Sequence, residues 1–360
     1  MKTTNKGKKP KAPEADPKAV RTAALANLRA GVEPLWDPVQ PAALPRYTPL
    51  RRQPSAWSRE ATGNKLALVA ADAQIGFRQL HGKLHPFHDV DAMQVFVQVA
   101  EAEQPETVVL CGDLMDLPGQ SRFTQEASFA GTTQAALQAA TEWLARLRAA
   151  VPRARIVVIE GNHEQRLHTM IERNALSAFG LKRADLPGET ADVWPVLSLP
   201  SLLRLDALNI EYADAYPAAT VWLNDSTRAI HGTKSNSRGS TTASYVAENP
   251  QLNTVAGHSH RQEITWHRTV GERNQALLRF SLNPGVLCRV DGAVPGQGSA
   301  VGLDGTPAIV HPDWQQGFGL IRYNEKETWP ELFPIINGQA VVSGRRYTAA
   351  PVEGMLNVAA

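Results

Sequence analysis

The chain has 360 residues, of which 43% are hydrophobic and 20% are charged. This composition is typical of a globular protein that buries a substantial core, and it differs from that of disordered or fibrous chains. No apolar run approaches the ~20 residues that a membrane-spanning helix needs, and the start lacks an apolar signal core, so we expect no membrane partner. The two cysteines, Cys111 and Cys288, are too few for a disulfide framework, which predicts a reducing, cytoplasmic location.

The first 64 residues differ in composition from the rest of the chain. Residues 1–60 contain 12 Lys and Arg against 5 Asp and Glu, whereas residues 61–360 contain 25 against 30. Repeated prolines and lysines are typical of an extended linker, with one short helix expected around residues 17–30. We therefore expect residues 1–64 to form a basic, Pro-rich extension, either a solvated arm or a contact for nucleic acid.

Apolar strands and amphipathic helices alternate after this extension. Uninterrupted apolar runs predict strands at residues 66–71, 107–111 and 155–159. Apolar residues at helical spacing predict helices at residues 89–100 and 133–150. This alternation is typical of an α/β fold with a largely parallel sheet covered by helices.

The second half of the chain is richer in short strands. These are predicted at residues 208–212, 228–230, 253–256, 264–267, 277–281 and 318–323. The Gly- and Pro-rich stretch at residues 292–312 is expected to be a long surface excursion. We expect a catalytic core over residues 65–285, followed by a C-terminal extension over residues 286–360 whose strands complete the core or pack on it.

Clusters of polar residues follow the apolar strands. They supply seven candidate metal ligands with oxygen or imidazole donors: Asp72, Gln74, Asp113, Asn162, His231, His258 and His260. Because ligands bind beyond the carboxyl ends of strands in open α/β sheets, these side chains should converge on one crevice. Such a set can hold two divalent cations about 3.5–4 Å apart, bridged by one carboxylate. Without thiolate ligands, manganese, iron or zinc is favoured over calcium.

The ordered series of motifs resembles the calcineurin-like metallophosphoesterase superfamily. The motifs are Gly112-Asp113-x-x-Asp116, Gly161-Asn162-His163-Glu164, His231 and Gly257-His258-x-His260. The resemblance spans residues 66 to about 267. It implies a four-layer α/β/β/α sandwich, a dinuclear metal centre, and hydrolysis of phosphomonoesters or phosphodiesters by a metal-bound hydroxide.

The resemblance and the ligand chemistry together divide the predicted ligands between two metal sites. Asp113 is the candidate bridge between them. The other ligands form two sets, Asp72, Gln74 and His260 for the first site and Asn162, His231 and His258 for the second.

The first site departs from the superfamily pattern at Gln74. The superfamily usually has Asp-x-His at this point, whereas this chain has Asp72-Ala73-Gln74. Because a glutamine oxygen is neutral and harder than imidazole, we expect weaker binding there and a preference for manganese or magnesium. A histidine from the loop that carries His81, His85 and His88 is the alternative ligand.

The remaining candidates are expected to bind the substrate, protonate it or support the residues that do. By resemblance, His163 donates a hydrogen bond or a proton to the leaving oxygen, which is chemically reasonable for an imidazole beside two cations. Asp116 either caps the next helix or orients His163 or a metal ligand. Lys234 and Arg238, in a polar loop after His231, either bind a substrate phosphate or form solvated surface.

These residues predict a metal-dependent phosphoester hydrolase. The first expectation is a phosphodiesterase or nuclease that acts on DNA, RNA or a nucleotide with two divalent ions, manganese first and iron, zinc or magnesium as alternatives. The alternatives within the enzyme class are a phosphomonoesterase or a cyclic-nucleotide phosphodiesterase. A degenerate, non-catalytic binding module is the alternative outside it, because of Gln74.

Overall fold

The computed structural model describes residues 63–123, 126–184, 194–236, 239–271, 273–301, 307–309 and 311–349. Residues 1–62 of the predicted basic extension, including its expected helix, and Arg238 lie outside these residues. Within them, no helix is long and apolar enough to cross a membrane.

The described chain contains five α-helices and seventeen strands. The helices are α1 (Val90–Glu103), α2 (Thr133–Ala150), α3 (Gln165–Asn174), α4 (Leu199–Leu202) and α5 (Thr241–Glu248). The strands of the first half are β1 (Lys65–Ala70), β2 (Phe77–Leu80), β3 (Lys83–Pro86), β4 (Thr107–Leu110), β5 (Arg155–Ile159) and β6 (Glu211–Ala213). The later strands are β7 (Val221–Asn224), β8 (Thr227–Ile230), β9 (Asn253–Ala256), β10 (Gln262–Val270), β11 (Ala276–Pro284), β12 (Gly298–Val301), β13 (Pro307–Ile309), β14 (Gly317–Tyr323), β15 (Thr328–Pro334), β16 (Gln339–Val342) and β17 (Arg345–Thr348).

Two sheets form the centre of the fold. The first has the strand order β15-β14-β1-β4-β5-β6, in which β1, β4, β5 and β6 are parallel and β14 and β15 are antiparallel additions. The second has the order β10-β11-β9-β8-β7, with β11, β9 and β8 parallel. The predicted parallel sheet is therefore present. Strand β14, from the predicted C-terminal extension, pairs with β1, and β15 pairs with β14 at the edge of the sheet. The domain boundaries themselves stay predictions.

The core lies between the two sheets. Side chains alternate across a strand, so alternate residues of the first sheet, such as Ala67, Val69 and Val157, join one buried cluster with Val255 and Leu282 of the second. Each of these residues has at most 1% of its surface exposed to solvent. Because apolar burial is worth roughly 25 cal/mol per Å², this sandwich supplies a large part of the stability.

Helices cover the outer faces of both sheets. On the first sheet, the ring of Phe96 in α1 packs 6.1 Å from Phe318 of β14 and 6.0 Å from Trp143 of α2. On the second, Tyr245 of α5 packs against Ile230 and Ala256. The resulting order of layers is helix, sheet, sheet, helix, which confirms the expected four-layer α/β/β/α sandwich.

Two of the sequence-based expectations were wrong in detail. The strand predicted at residues 208–212 begins at Glu211, because the preceding residues form turns whose carbonyl groups accept hydrogen bonds from Arg148. The stretch at residues 292–312 is not simply a surface excursion. It buries Val294 and Gln297, and its strands β12 and β13 pair with each other.

Candidate metal centre

Five loops bring the predicted ligands together beyond the carboxyl ends of the central strands. The loops follow β1, β4, β5, β8 and β9, and they carry respectively Asp72 with Gln74, Asp113, Asn162, His231, and His258 with His260. Parallel strands place these ends at the same edge of a sheet. The two sheets therefore contribute ligands to one crevice.

Two groups of side chains share Asp113. One group is Asp113, His231 and His258, and the other is Asp72, Asp113 and His260. Within each group the ligand atoms all lie within 4.8 Å of one another. Of the seven predicted ligands, five are thus placed for metal binding in two sets, with one carboxylate common to both.

Nε2 of His231 faces two oxygen atoms. Its Nδ1 donates to the carbonyl oxygen of Cys111 at 2.8 Å, so Nε2 of the neutral ring is an acceptor. That Nε2 lies 3.0 Å from Oδ1 of Asn162 and 3.4 Å from Oδ1 of Asp113. Burial lowers the pKa of His231, but Asp113 outweighs it and raises the pKa to about 10. Without a metal ion the ring therefore holds a proton on Nε2, between these oxygens, and a bound cation would replace that proton. Three acceptors that face one another favour a positive charge between them, so this donor set fits a cation.

The second group is built around the buried carboxylate of Asp72. Its Oδ1 lies 3.0 Å from Nε2 of His260, and its Oδ2 accepts the backbone N–H of His258 at 3.0 Å. Burial and the neighbouring His231 lower the pKa of His258 to about 4. His258 is therefore a neutral imidazole near neutral pH, which is the form that binds metals.

Five of the seven predicted ligands have left-handed backbone. Their φ angles are 52° at Asp72, 50° at Gln74, 50° at Asp113, 69° at His258 and 60° at His260. Residues other than glycine rarely adopt positive φ, and each such residue costs of the order of 1 kcal/mol or more. The surrounding structure thus maintains a strained backbone at the positions where the side chains converge.

Glycine is required at two positions beside the ligands. A Cβ at Gly161 would lie 2.2 Å from Oδ1 of Asp113, and one at Gly112 would lie 2.6 Å from Nδ1 of His231. The φ of Gly112 is also +84°. Any side chain at either position would displace a predicted ligand.

Gln74 has an unpaired oxygen in the centre. The side chain is fully buried, and its Nε2 donates to Oδ2 of Asp113 at 3.3 Å. Its Oε1 is buried and accepts no hydrogen bond from the described residues. A buried acceptor without a partner is costly, and a metal ion at the Asp72 group would satisfy it. The alternative histidines lie in or beside the β2–β3 hairpin, and none of His81, His85 and His88 joins either group of candidate ligands in the described part of the chain.

His163 lies at the rim of the centre and contacts two acids and an arginine. Its Nδ1 lies 2.9 Å from Oδ1 of Asp116, and Nη2 of Arg166 donates to its Nε2 at 2.8 Å. The Asp116 carboxylate thus lies against the His163 ring, and the role of Asp116 stays a prediction. Burial lowers the pKa of His163, but Asp113 and Asp116 raise it above its usual value. Burial likewise raises the pKa of Asp113, but His163 and His231 lower it well below its usual value.

Two residues with a role in the site were missed by the sequence analysis. Glu164 accepts backbone N–H groups of Asp113, Met115 and Gly161 at 2.8–2.9 Å. Burial and Asp113 raise its pKa to about 7. Arg166 donates to the carbonyl oxygen of Asp116 at 2.6 Å as well as to His163. Glu164 belongs to the motif that contains Asn162 and His163, whereas nothing local in the sequence marks Arg166.

Of the two basic residues predicted to bind substrate in the loop after His231, the structure describes Lys234. Nζ of Lys234 lies 2.5 Å from Oε1 of Glu248 at the end of α5, and 6.0 Å from the centre of the Tyr245 ring. The side chain of Arg238 lies outside the described residues. Substrate binding by both residues stays a prediction.

A four-layer sandwich that collects two Asp/His groups around one carboxylate has the architecture of a metal-dependent hydrolase. The family profile described as calcineurin-like phosphoesterase matches residues 68–262, more than half of the chain. The chain therefore belongs to the calcineurin-like phosphoesterase family and is a metal-dependent hydrolase of phosphoester bonds.

Two phage proteins and one solved structure illustrate the similarity. The Gene 54 protein of Mycobacterium phage D29 is 29% identical over 289 residues, covering 78% of this chain and 98% of that protein. The Gene 54 protein of Mycobacterium phage L5 is 27% identical over 296 residues, with the same shares covered. Wild-type Vps29 from Entamoeba histolytica, solved in complex with zinc, is 13% identical and has a TM-score of 0.32, covering 78% of this chain and 95% of that chain.

Proposed function

We propose that this chain is a phosphodiesterase that acts on nucleic acid or a nucleotide. It would use two divalent cations, with manganese as the preferred metal. The proposal rests on the observation that Asp113 belongs to both groups of candidate ligands. We assign Asp72, Gln74 and His260 to one ion and Asn162, His231 and His258 to the other. When bound, such ions polarise the phosphoryl group and activate water.

The choice of manganese rests on the donor atoms. The first site has an amide oxygen from Gln74 where imidazole would favour zinc. No cysteine side chain joins either group in the described part of the chain. Both thiols, Cys111 and Cys288, are free and buried, which supports the proposed reducing, cytoplasmic location.

His163 is proposed to protonate the leaving oxygen. Its Nε2 lies 3.6 Å from Oδ2 of Asp113, so the ring is next to the predicted bridge, and 13% of its side chain is exposed. Oδ1 of Asp116 lies 2.9 Å from the other ring nitrogen, Nδ1. Because Nε2 accepts from Arg166 in the structure, the acid role requires a proton on Nε2, which the ring would donate to the leaving alkoxide in place of its contact with Arg166.

A diester is preferred over a monoester because space continues beyond the centre. A groove of about 490 Å³ begins at Asn162 and runs along α3. A monoester has one organic group, whereas a diester extends on both sides of its phosphate. The basic extension, with 12 Lys and Arg against 5 Asp and Glu in residues 1–60, also supports a polyanionic substrate.

The test compares four substrates with the full chain and a manganese titration. These are bis-p-nitrophenyl phosphate, p-nitrophenyl phosphate, linear DNA and a cyclic nucleotide. We expect manganese-dependent hydrolysis of the diesters, with the simple monoester slower. A preference for p-nitrophenyl phosphate would instead assign a phosphomonoesterase, and metal binding without turnover of any substrate would assign a binding module.

A further inference from the structure

The described charged side chains that line the groove beside the metal centre are all positive. It has a volume of about 490 Å³ and lies between residues 119–123 and one face of α3. Among the described residues, its lining includes three arginines, Arg122, Arg166 and Arg173, and no Asp or Glu. Residues 61–360 carry a net negative charge in total, with 25 Lys and Arg against 30 Asp and Glu. Such a local concentration of positive charge points to an anionic ligand.

The arginines of α3 mark two points along the groove. Arg166 and Arg173 are seven residues apart, so they share a helix face and their backbones are about 10 Å apart along the axis. Arg166 is held at the catalytic end by its hydrogen bonds to Asp116 and His163. Arg173 lies exposed in the last turn of α3 and lines the groove. A ligand that uses both residues must extend away from the metal centre.

The far wall of the groove presents an aromatic ring. Phe123 is 66% exposed, and the guanidinium of Arg122 lies 4.9 Å from the centre of its ring. A single exposed aromatic residue is common on protein surfaces. An exposed ring beside arginines in a groove is the combination that binds single-stranded nucleic acid, because bases stack on the ring while phosphates pair with the cations.

We propose that this groove binds a single-stranded stretch of nucleic acid next to the scissile phosphate. Phe123 stacks a base, Arg122 and Arg173 bind backbone phosphates, and Asn162 is the point at which the strand reaches the metal centre. The proposal rests on the proposed phosphodiesterase function and names its substrate class. A volume of about 490 Å³ is that of a small-molecule site, so the groove fits a few nucleotides of one strand rather than a duplex.

Binding is tested separately from hydrolysis. The full-length protein, loaded with manganese, is titrated into a fluorescein-labelled phosphorothioate dT12, which retains its charges and resists cleavage, and anisotropy is recorded. The variants are Arg173→Gln and Phe123→Ala, with Phe123→Trp as the conservative change. Arg346→Gln on β17 is the matched control, because Arg346 is also exposed and does not line the groove.

We expect Arg173→Gln and Phe123→Ala each to raise the Kd for dT12 about tenfold, the size expected for loss of one phosphate contact or one stacked base. Phe123→Trp should retain the wild-type Kd, and Arg173→Gln should also reduce the salt dependence of binding. Equal Kd values for wild type, Arg173→Gln and Arg346→Gln would overturn the proposal. Each preparation is also assayed with bis-p-nitrophenyl phosphate, which is too small to extend along the groove from the metal centre to Arg173. Unchanged hydrolysis with weakened dT12 binding supports the groove, whereas absent hydrolysis in the wild type would refute the phosphodiesterase function instead.

Discussion

The carboxylate of Glu164 accepts the backbone N–H of Asp113 at 2.9 Å, although the two residues are 51 positions apart in the chain. The same side chain accepts N–H groups of Met115 and Gly161. One buried acid thereby joins the loop after β4 to the loop after β5. Because Asp113 has a φ of 50°, its loop depends on such contacts to keep its conformation.

Replacing Glu164 with Ala should therefore weaken both the fold and metal binding. The change leaves buried N–H groups without acceptors, and we expect the free energy of unfolding to fall by about 3 kcal/mol. Urea denaturation measures the stability, and elemental analysis measures the metal content. A variant with wild-type stability and full metal content would contradict the role assigned to Glu164.

Asp113→Ala should remove metal and activity together. A bridging carboxylate serves both ions, and no neighbouring side chain can replace its two oxygens. We expect less than one bound metal per chain after dialysis and a fall in kcat of at least about 10³-fold. Asp225→Ala, at an exposed position, is the control. Two metals per chain with hydrolysis retained in Asp113→Ala would disprove the bridge assignment.

His163→Ala should retain its metals and lose turnover. General acid catalysis contributes typically 10²–10⁴-fold, and the need for it grows as the leaving group becomes more basic. The kcat of diesters with poor leaving groups should fall more than that of bis-p-nitrophenyl phosphate. Steady-state kinetics over a series of leaving groups provide the measurement. Equal losses across the series would mean that His163 positions the substrate and does not protonate it.

Gln74→Ala and Gln74→His should change metal dependence in opposite directions. Removal of the amide oxygen should raise the manganese concentration for half-maximal activity about tenfold or more, while the site built on Asn162, His231 and His258 stays filled. Gln74→His should tighten the weaker ion and shift the preference toward zinc or iron. Activity titrations and calorimetry measure both effects. Unchanged manganese dependence in Gln74→Ala would show that Gln74 is not a ligand.

Arg148→Met should destabilise the fold without changing the metal centre. The buried guanidinium donates to carbonyl oxygens of Val151, Ala154, Leu208 and Asn209. Methionine preserves the aliphatic part but leaves these carbonyls unpaired, so we expect a loss of about 3 kcal/mol in the free energy of unfolding. Thermal and urea denaturation give the value, and metal content should equal that of the wild type. Wild-type stability would show that water replaces the guanidinium.

The hydrophobic pattern along the chain was enough to predict the central strands and where the candidate ligands follow them. The runs at residues 107–111 and 155–159 match β4 and β5 to within one residue, because a buried strand needs consecutive apolar residues. The ligands follow those strand ends directly in the chain. Since parallel strands end at one edge of a sheet, the order of strands and polar clusters along the chain is enough to predict that the ligands converge.

Which carbonyl groups Arg148 and Arg166 bind could be read only from the folded chain. Arg148 is fully buried because a turn 60 residues away and the turn just after α2 both offer it carbonyl oxygens, and the hydrophobic pattern of α2 gives no sign of this. Arg166, in the first turn of α3, contacts His163 three residues earlier, whereas its hydrogen bond to the Asp116 carbonyl links residues 50 positions apart. Such hydrogen bonds depend on how the loops meet in space. Local propensity and periodicity report on neighbours along the chain, so they cannot encode contacts formed by packing two sheets together.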